Sequence, residues 1–333
     1  MSPDPAPTVR ARRAVGDLPS LRSVLWRLFH RKAQPALMVP SRAKSGPAKI
    51  AVQGVGHRYR NAVQALENVH IDIHTGEFVC LLGPSGCGKS TLLYALAGTF
   101  VPSGGQITID GKVIRGPSPE RLLMFQEPAL FPWLTVRQNL LFALGSKKMP
   151  RPERERTARE YLQLVKLEGW DNSLPHQLSG GMRMRVSLAR ALAMDPAVLL
   201  MDEPFGALDA QTRAQMHVLL QHIWMRTRKT VVFVTHNIRE ALVLGDRVVV
   251  MAGQPGRVLQ DLEIRLPRPR DPDDDRLVKL SRQIRELLST ADPAGGGRGR
   301  DGRREAADER AEPGRAPAGD LPGRPDSGLD PGV

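Results

Sequence analysis

The chain has 333 residues, 41% of them hydrophobic, and a formal net charge of +13. That is enough apolar sequence for one large domain or two small ones. No run approaches the ~18 consecutive apolar residues of a membrane span, and no leader with an apolar h-region and cleavage site is legible. The two cysteines, Cys80 and Cys87, have neither zinc-site spacing nor the number for a disulfide scaffold, which fits a reducing compartment.

The charge is uneven. Residues 1–48 hold nine Lys/Arg against two Asp, or +7, and the last 43 residues hold seven Arg against nine Asp/Glu, or −2. The high isoelectric point therefore says little about the part between them. Residues 1–48 are rich in Pro, Ala and Arg and are expected to be mostly disordered. Within them, residues 20–32 place Leu21, Leu25, Leu28 and Phe29 on one helical face among Arg22, Arg27, Arg31 and Lys32. This basic amphipathic pattern reads as a helix on a membrane surface, as a loosely ordered tail, or as a leader ahead of a true start at Met38.

Folded sequence is expected from Lys49. The alternation at 49–55 and 69–73 reads as antiparallel strands, and the unbroken apolar run 78–82 as a strand buried on both faces. A helix is expected over 90–98, ended by Gly98 and Pro102, and then a hairpin, 106–110 and 112–114, turning at Asp110-Gly111. From Thr135 to about Met194 the periodicity is helical. Strands return at 198–201, 231–235 and 248–251 with helices between them, and a last helix is expected over about 273–288, within a segment 271–290. Residues 291–333 are Gly, Pro, Arg and Asp with little to bury, and are read as a disordered tail. The overall pattern is an α/β unit carrying a helical insert of about 127–194.

Three motifs carry chemistry. GPSGCGKS at 83–90 matches G-x-x-x-x-G-K-[ST] between a strand and a helix, the setting that motif requires. Its backbone N–H groups and the helix N-terminus suit phosphates, Lys89 suits the β- and γ-phosphates, and Ser90 suits Mg²⁺. Asp202 ends the apolar strand 198–201, where a carboxylate can meet Mg²⁺, and Glu203 is the candidate to orient and polarise the attacking water. His236 follows strand 231–235 at another C-terminal strand end, the side on which open α/β sheets bind ligands, while Asn237 and Glu240 form a capping pattern behind it. Third is LSGGM at 178–182, in which Ser179 can cap the next helix and Gly180-Gly181 keep its backbone open.

Together these motifs resemble the nucleotide-binding subunit of an ABC transporter over residues 49–270, with Tyr59, Gln126, Leu178 to Met182, Ala207-Leu208-Asp209 and His236 in family order. The resemblance implies an α/β P-loop NTPase (RecA-like core) with an antiparallel β subdomain and an inserted α-helical subdomain. It implies a homodimer closing on two ATP with Mg²⁺. Each ATP would lie between Gly83, Pro84, Ser85, Gly86, Cys87, Gly88, Lys89, Ser90 and Thr91 of one copy and Ser179, Gly180, Gly181 and Asp209 of the other. Glu203, His236, Lys89 and Gln126 would be catalytic, and Ser90, Gln126 and Asp202 would serve the metal. Tyr59 would stack on adenine or serve as a buried structural Tyr.

The segments 124–140, 178–192, 246–258 and 266–271 look like the nitrate, sulfonate and taurine import subfamily. That implies uptake of a small anion or organic acid through separate permease subunits, with an extracytoplasmic substrate-binding protein. The subunit would be peripheral on the cytoplasmic face of the inner membrane. Trp133 and its apolar neighbours would receive the permease's coupling helix or pack within the insert. Met182, Met184 and Asn237 depart from the usual Gln, Gln and Asp without removing a catalytic group, and Met184 loses a hydrogen-bonding side chain near the interface. The alternative, a soluble non-transport ABC ATPase, typically carries two motif sets or long coiled coils. No nucleic-acid partner is expected, because the basic extension holds one Trp, one Phe and no reading motif.

Overall fold

The computed structural model describes residues 46–60 and 62–291. The helix expected at 20–32 and the tail beyond 291 lie outside these residues. Among the described residues the strands form two sheets. One is antiparallel in the order β2-β1-β4-β5, built from β1 (Ile50–Arg58), β2 (Gln64–Ile73), β4 (Gly104–Ile109) and β5 (Lys112–Val113). The other has the order β10-β9-β3-β8-β7-β6. Its strands are β3 (Phe78–Leu82), β6 (Arg121–Met124), β7 (Val198–Asp202), β8 (Thr230–Thr235), β9 (Arg247–Ala252) and β10 (Arg257–Glu263). All its pairs are parallel except β10 on β9.

The parallel strands read as unbroken apolar runs because each supplies two cores. Side chains alternate across a strand, so Phe78, Cys80 and Leu82 enter one core while Val79 and Leu81 enter the other. Strands β7, β8 and β9 divide the same way, for instance Leu199 and Met201 against Val198 and Leu200. The second core is closed by the antiparallel sheet and α1 (Lys89–Ala97), through Leu92, Leu93 and Leu96. The first is closed by α2 (Val136–Leu144), α3 (Arg151–Leu164), α4 (Gly180–Ala193), α5 (Ala210–Thr227), α6 (Ile238–Leu244) and α7 (Asp275–Ala291).

The expected hairpin forms as β4 and β5, with Asp110 (φ 48°) and Gly111 (φ 75°) in the left-handed region that such a turn needs. Strands β6 and β10 were not expected. The first is four residues long and cannot display a period, and the second is a largely exposed edge strand.

The segment LPRPRD, part of the subfamily resemblance, fastens the end of the fold. Arg268 pairs with Asp246 at 2.8 Å and lies over the Trp224 ring at 4.4 Å. Arg270 is buried and donates to the carbonyls of Leu242 (2.9 Å), Gly245, Ile264 (2.9 Å) and Leu266 (3.2 Å). Five guanidinium donors can meet such a ring of carbonyls where a single ammonium cannot.

Candidate functional site

The phosphate loop leaves β3 and enters α1 at Gly88, whose φ is +86° and whose Cβ, if present, would stand 2.6 Å from the Ala65 carbonyl oxygen. Any larger residue would push the loop off the antiparallel sheet. Pro84, Ser85 and Gly86 are exposed, while Cys87 points inward and burial pushes its thiol up. Lys89 is buried and its ammonium donates to the carbonyls of Gly83 (2.9 Å) and Pro84 (2.7 Å). One of its three protons remains for an anion in the cradle. The cradle thus offers a cation and a helix N-terminus beneath an open loop, which fits a phosphate chain.

Asp202, at the buried end of β7, meets this loop. Its Oδ1 accepts from Ser90 Oγ at 2.8 Å and its Oδ2 from the Tyr94 hydroxyl at 2.8 Å. Burial, reinforced by the Asp202 charge, pushes the Tyr94 phenol up to about 12, so it remains a donor. A carboxylate and an alcohol side by side are hard oxygen donors of the kind Mg²⁺ takes alongside phosphate and water. Tyr94 was not singled out from the sequence; its signal is the four-residue spacing from Ser90 along the phosphate-loop helix.

Glu203 continues the strand for one bond, donating its N–H to the Val234 carbonyl at 3.1 Å, and then takes φ 42°. That left-handed residue turns the side chain out of the sheet. There its Oε2 lies 2.8 Å from His236 Nδ1, at the end of the neighbouring β8. His236 is held because Asn237 caps α6, with its Oδ1 accepting from the Glu240 N–H at 3.2 Å. The Glu240 carboxylate is buried, accepting from the Thr235 hydroxyl and lying 2.8 Å from His217 Nε2. Lys89, Ser90, Asp202, Glu203 and His236 are thereby gathered along the C-terminal ends of β3, β7 and β8.

The remaining candidates lie elsewhere. Tyr59 follows β1, half exposed, with its hydroxyl 3.1 Å from Thr91 Oγ1 and its ring edge-on to His57 at 4.8 Å. Gln126, just past β6, is exposed, and its amide lies 3.2 Å from where a Gly206 Cβ would stand; among the described contacts no hydrogen bond joins it to Ser90 or Asp202. Ser179 caps α4, accepting from the Met182 N–H at 3.3 Å, and Asp209 caps α5, accepting from the Thr212 N–H at 2.9 Å. That hydrogen bond holds the Asp209 carboxyl below its usual range. The two helix starts touch, since a Cβ on Gly181 would stand 2.3 Å from Thr212 Cγ2. Ser179, Gly180 and Asp209 face solvent. Met184, expected near an interface, is buried in the protomer's own larger core, where a thioether packs better than an amide.

A groove of about 310 Å³ runs beside Gln126, lined among others by Phe125, Phe131, Phe142, Arg190 and Met194. Trp133 stands 71% exposed on its rim loop, 5.7 Å from Phe131 between ring centres. That loop is templated by Asn139, fully buried, whose Oδ1 accepts from the Phe131 N–H at 2.9 Å. Its Nδ2 donates to the carbonyls of Phe131 (3.2 Å), Leu134 (3.0 Å) and Thr135 (3.0 Å).

The chain is similar to known proteins in sequence and in fold. The family model described as ABC transporter matches residues 66–206. The nitrate import ATP-binding protein of Synechocystis sp. is 46% identical over 224 residues, 67% of this chain and 84% of that protein. The taurine import ATP-binding protein of Rhizobium johnstonii is 48% identical over 231 residues, 69% of this chain and 88% of that protein. Among solved structures, a dimeric ATP-binding cassette in a post-hydrolysis state bound to ADP and Pi is 33% identical, with a TM-score of 0.57, covering 65% of this chain and 99% of that one. The fold is that of a P-loop ABC ATPase, and the chain belongs to the ATP-binding proteins of ABC transporters and is an ATPase.

Proposed function

We propose that this chain is the ATP-hydrolysing subunit of an importer for a small anion or organic acid such as nitrate, a sulfonate or taurine. The observation that carries the reading is the meeting of Lys89, the Ser90–Asp202 pair and the Glu203–His236 pair at three neighbouring strand ends. The names of the nitrate and taurine relatives support import and the substrate class.

Lys89 would exchange its carbonyl partners for the β- and γ-phosphates, and the loop N–H groups would bind the phosphate oxygens. Ser90 and Asp202 would hold Mg²⁺, with Gln126 closing on it, and the bound ion would neutralise charge on the β- and γ-phosphates. Glu203 would take the proton of the attacking water on its carboxylate, and His236, at Oε2, would orient that carboxylate while reaching toward the γ-phosphate. Tyr59 would stack on the adenine.

Ser179, Gly180 and Asp209 face solvent from two adjoining helix starts, with Gly181 buried between them against Thr212, which suits the ATP of a second copy of this chain. The dimeric state of the solved cassette supports that homodimer. The groove beside Gln126, with exposed Trp133 and Phe142, suits an apolar helix end of a separate permease, and motion of Gln126 would link it to the nucleotide. No helix among the described residues is long and apolar enough to cross a membrane, so a permease subunit would supply the pathway. The subunit would sit peripherally on the cytoplasmic face of the inner membrane, and an extracytoplasmic binding protein would select the substrate.

The test is affinity purification of the tagged protein from detergent-solubilised membranes, with phosphate release measured on the product. A polytopic protein in stoichiometric amount, and turnover stimulated by it, is the expected result. Recovery from the soluble fraction with no membrane protein would overturn the transport reading while leaving the ATPase intact.

A further inference from the structure

We propose that Tyr94 is a positioning residue for Asp202: its phenol holds one carboxylate oxygen so that the other is presented, beside Ser90 Oγ, to the divalent cation. This rests on the reading of Ser90 and Asp202 as the metal pair. Ser90 and Tyr94 are four residues apart on α1 and therefore stand one turn apart on the same face. Both reach the same carboxylate, Ser90 Oγ at Oδ1 and the Tyr94 hydroxyl at Oδ2, each at 2.8 Å.

A lone carboxylate has a broad, two-fold torsion about its last bond. Gripped at both oxygens from one rigid helix, Asp202 has a single orientation. The Tyr94 ring lies 6.4 Å from that of Phe125, the residue before Gln126. The phenol is neutral, so it fixes the carboxylate without the repulsion that a Lys or Arg there would impose on a cation. Asp202 is buried, and little water can take the phenol's place.

The experiment uses Tyr94→Phe, which keeps the ring and removes only the hydroxyl, beside Asp202→Asn. Binding of a fluorescent ATP analogue is titrated without divalent ions and then across a MgCl₂ series. Tyr94→Phe is expected to match the parent without Mg²⁺ and to need about tenfold more Mg²⁺ for half of the metal-dependent gain, the scale on which partners of metal ligands act. Asp202→Asn should lose more of that gain. An unshifted Mg²⁺ midpoint in Tyr94→Phe, with Asp202→Asn shifted, overturns the role of Tyr94 and leaves the metal pair standing. Asp202→Asn without any shift refutes the metal pair and the proposal with it. Equal loss of affinity by Tyr94→Phe with and without Mg²⁺ marks a general packing role and also overturns it.

Discussion

Replacing Asn139 by Ala tests whether one buried amide shapes the face on which Trp133 stands. The Phe131 carbonyl keeps the Leu134 N–H at 3.1 Å and the Thr135 carbonyl keeps the Asn139 N–H at 2.8 Å. The Phe131 N–H and the Leu134 carbonyl lose the partner that Asn139 supplied. A stranded backbone group costs about 1–3 kcal/mol, and the low end applies because this loop is only part-buried, which makes about 2 kcal/mol for the pair. For a domain of this size that is a fall in Tm of about 4–8 °C, well short of global unfolding. Basal ATP turnover should hold, since Asn139 touches none of the nucleotide residues, while stimulation by the permease should fall. The assays are thermal unfolding and acrylamide quenching of tryptophan fluorescence, with Trp133→Phe isolating the Trp133 share. A Tm within 1 °C of the parent, with unchanged quenching, would refute the templating role.

Glu203→Gln keeps the size and the reach to His236 but removes the base; turnover should fall by about 10²–10⁴-fold with ATP binding retained and a closed dimer accumulating on gel filtration. Normal turnover would remove Glu203 from the mechanism. Lys89→Ala should lose both nucleotide binding and hydrolysis, and an unchanged affinity in an equilibrium titration contradicts its phosphate role. Gly181→Ala drives a Cβ to 2.3 Å from Thr212 Cγ2, an overpacking cost of about 1–3 kcal/mol, and adding Thr212→Ser removes the offending methyl and should restore most of the lost Tm. If the double variant is no more stable than the single one, the helix starts do not meet as described.

The phosphate loop, the strand ending in Asp202 and the hairpin at Asp110-Gly111 were legible in the sequence because each rests on local chemistry. A glycine pattern between strand and helix, an unbroken apolar run and a left-handed turn all leave their mark within about ten residues of chain. Strands β6 and β10 were not legible, one too short to show a period and the other exposed at a sheet edge. Met184 read as a loss near an interface because the subfamily resemblance supplies the usual residue at that position but not the neighbours it packs against here. LPRPRD read only as a likeness, since nothing in it says that Arg270 would find four carbonyls. The grip of Ser90 and Tyr94 on one carboxylate joins residues more than a hundred apart in the chain. Sequence alone determined which residue types stand at which strand ends. Only the tertiary structure decided which of them touch, because parallel strands are joined by long crossovers and their neighbours in the sheet are distant in the chain.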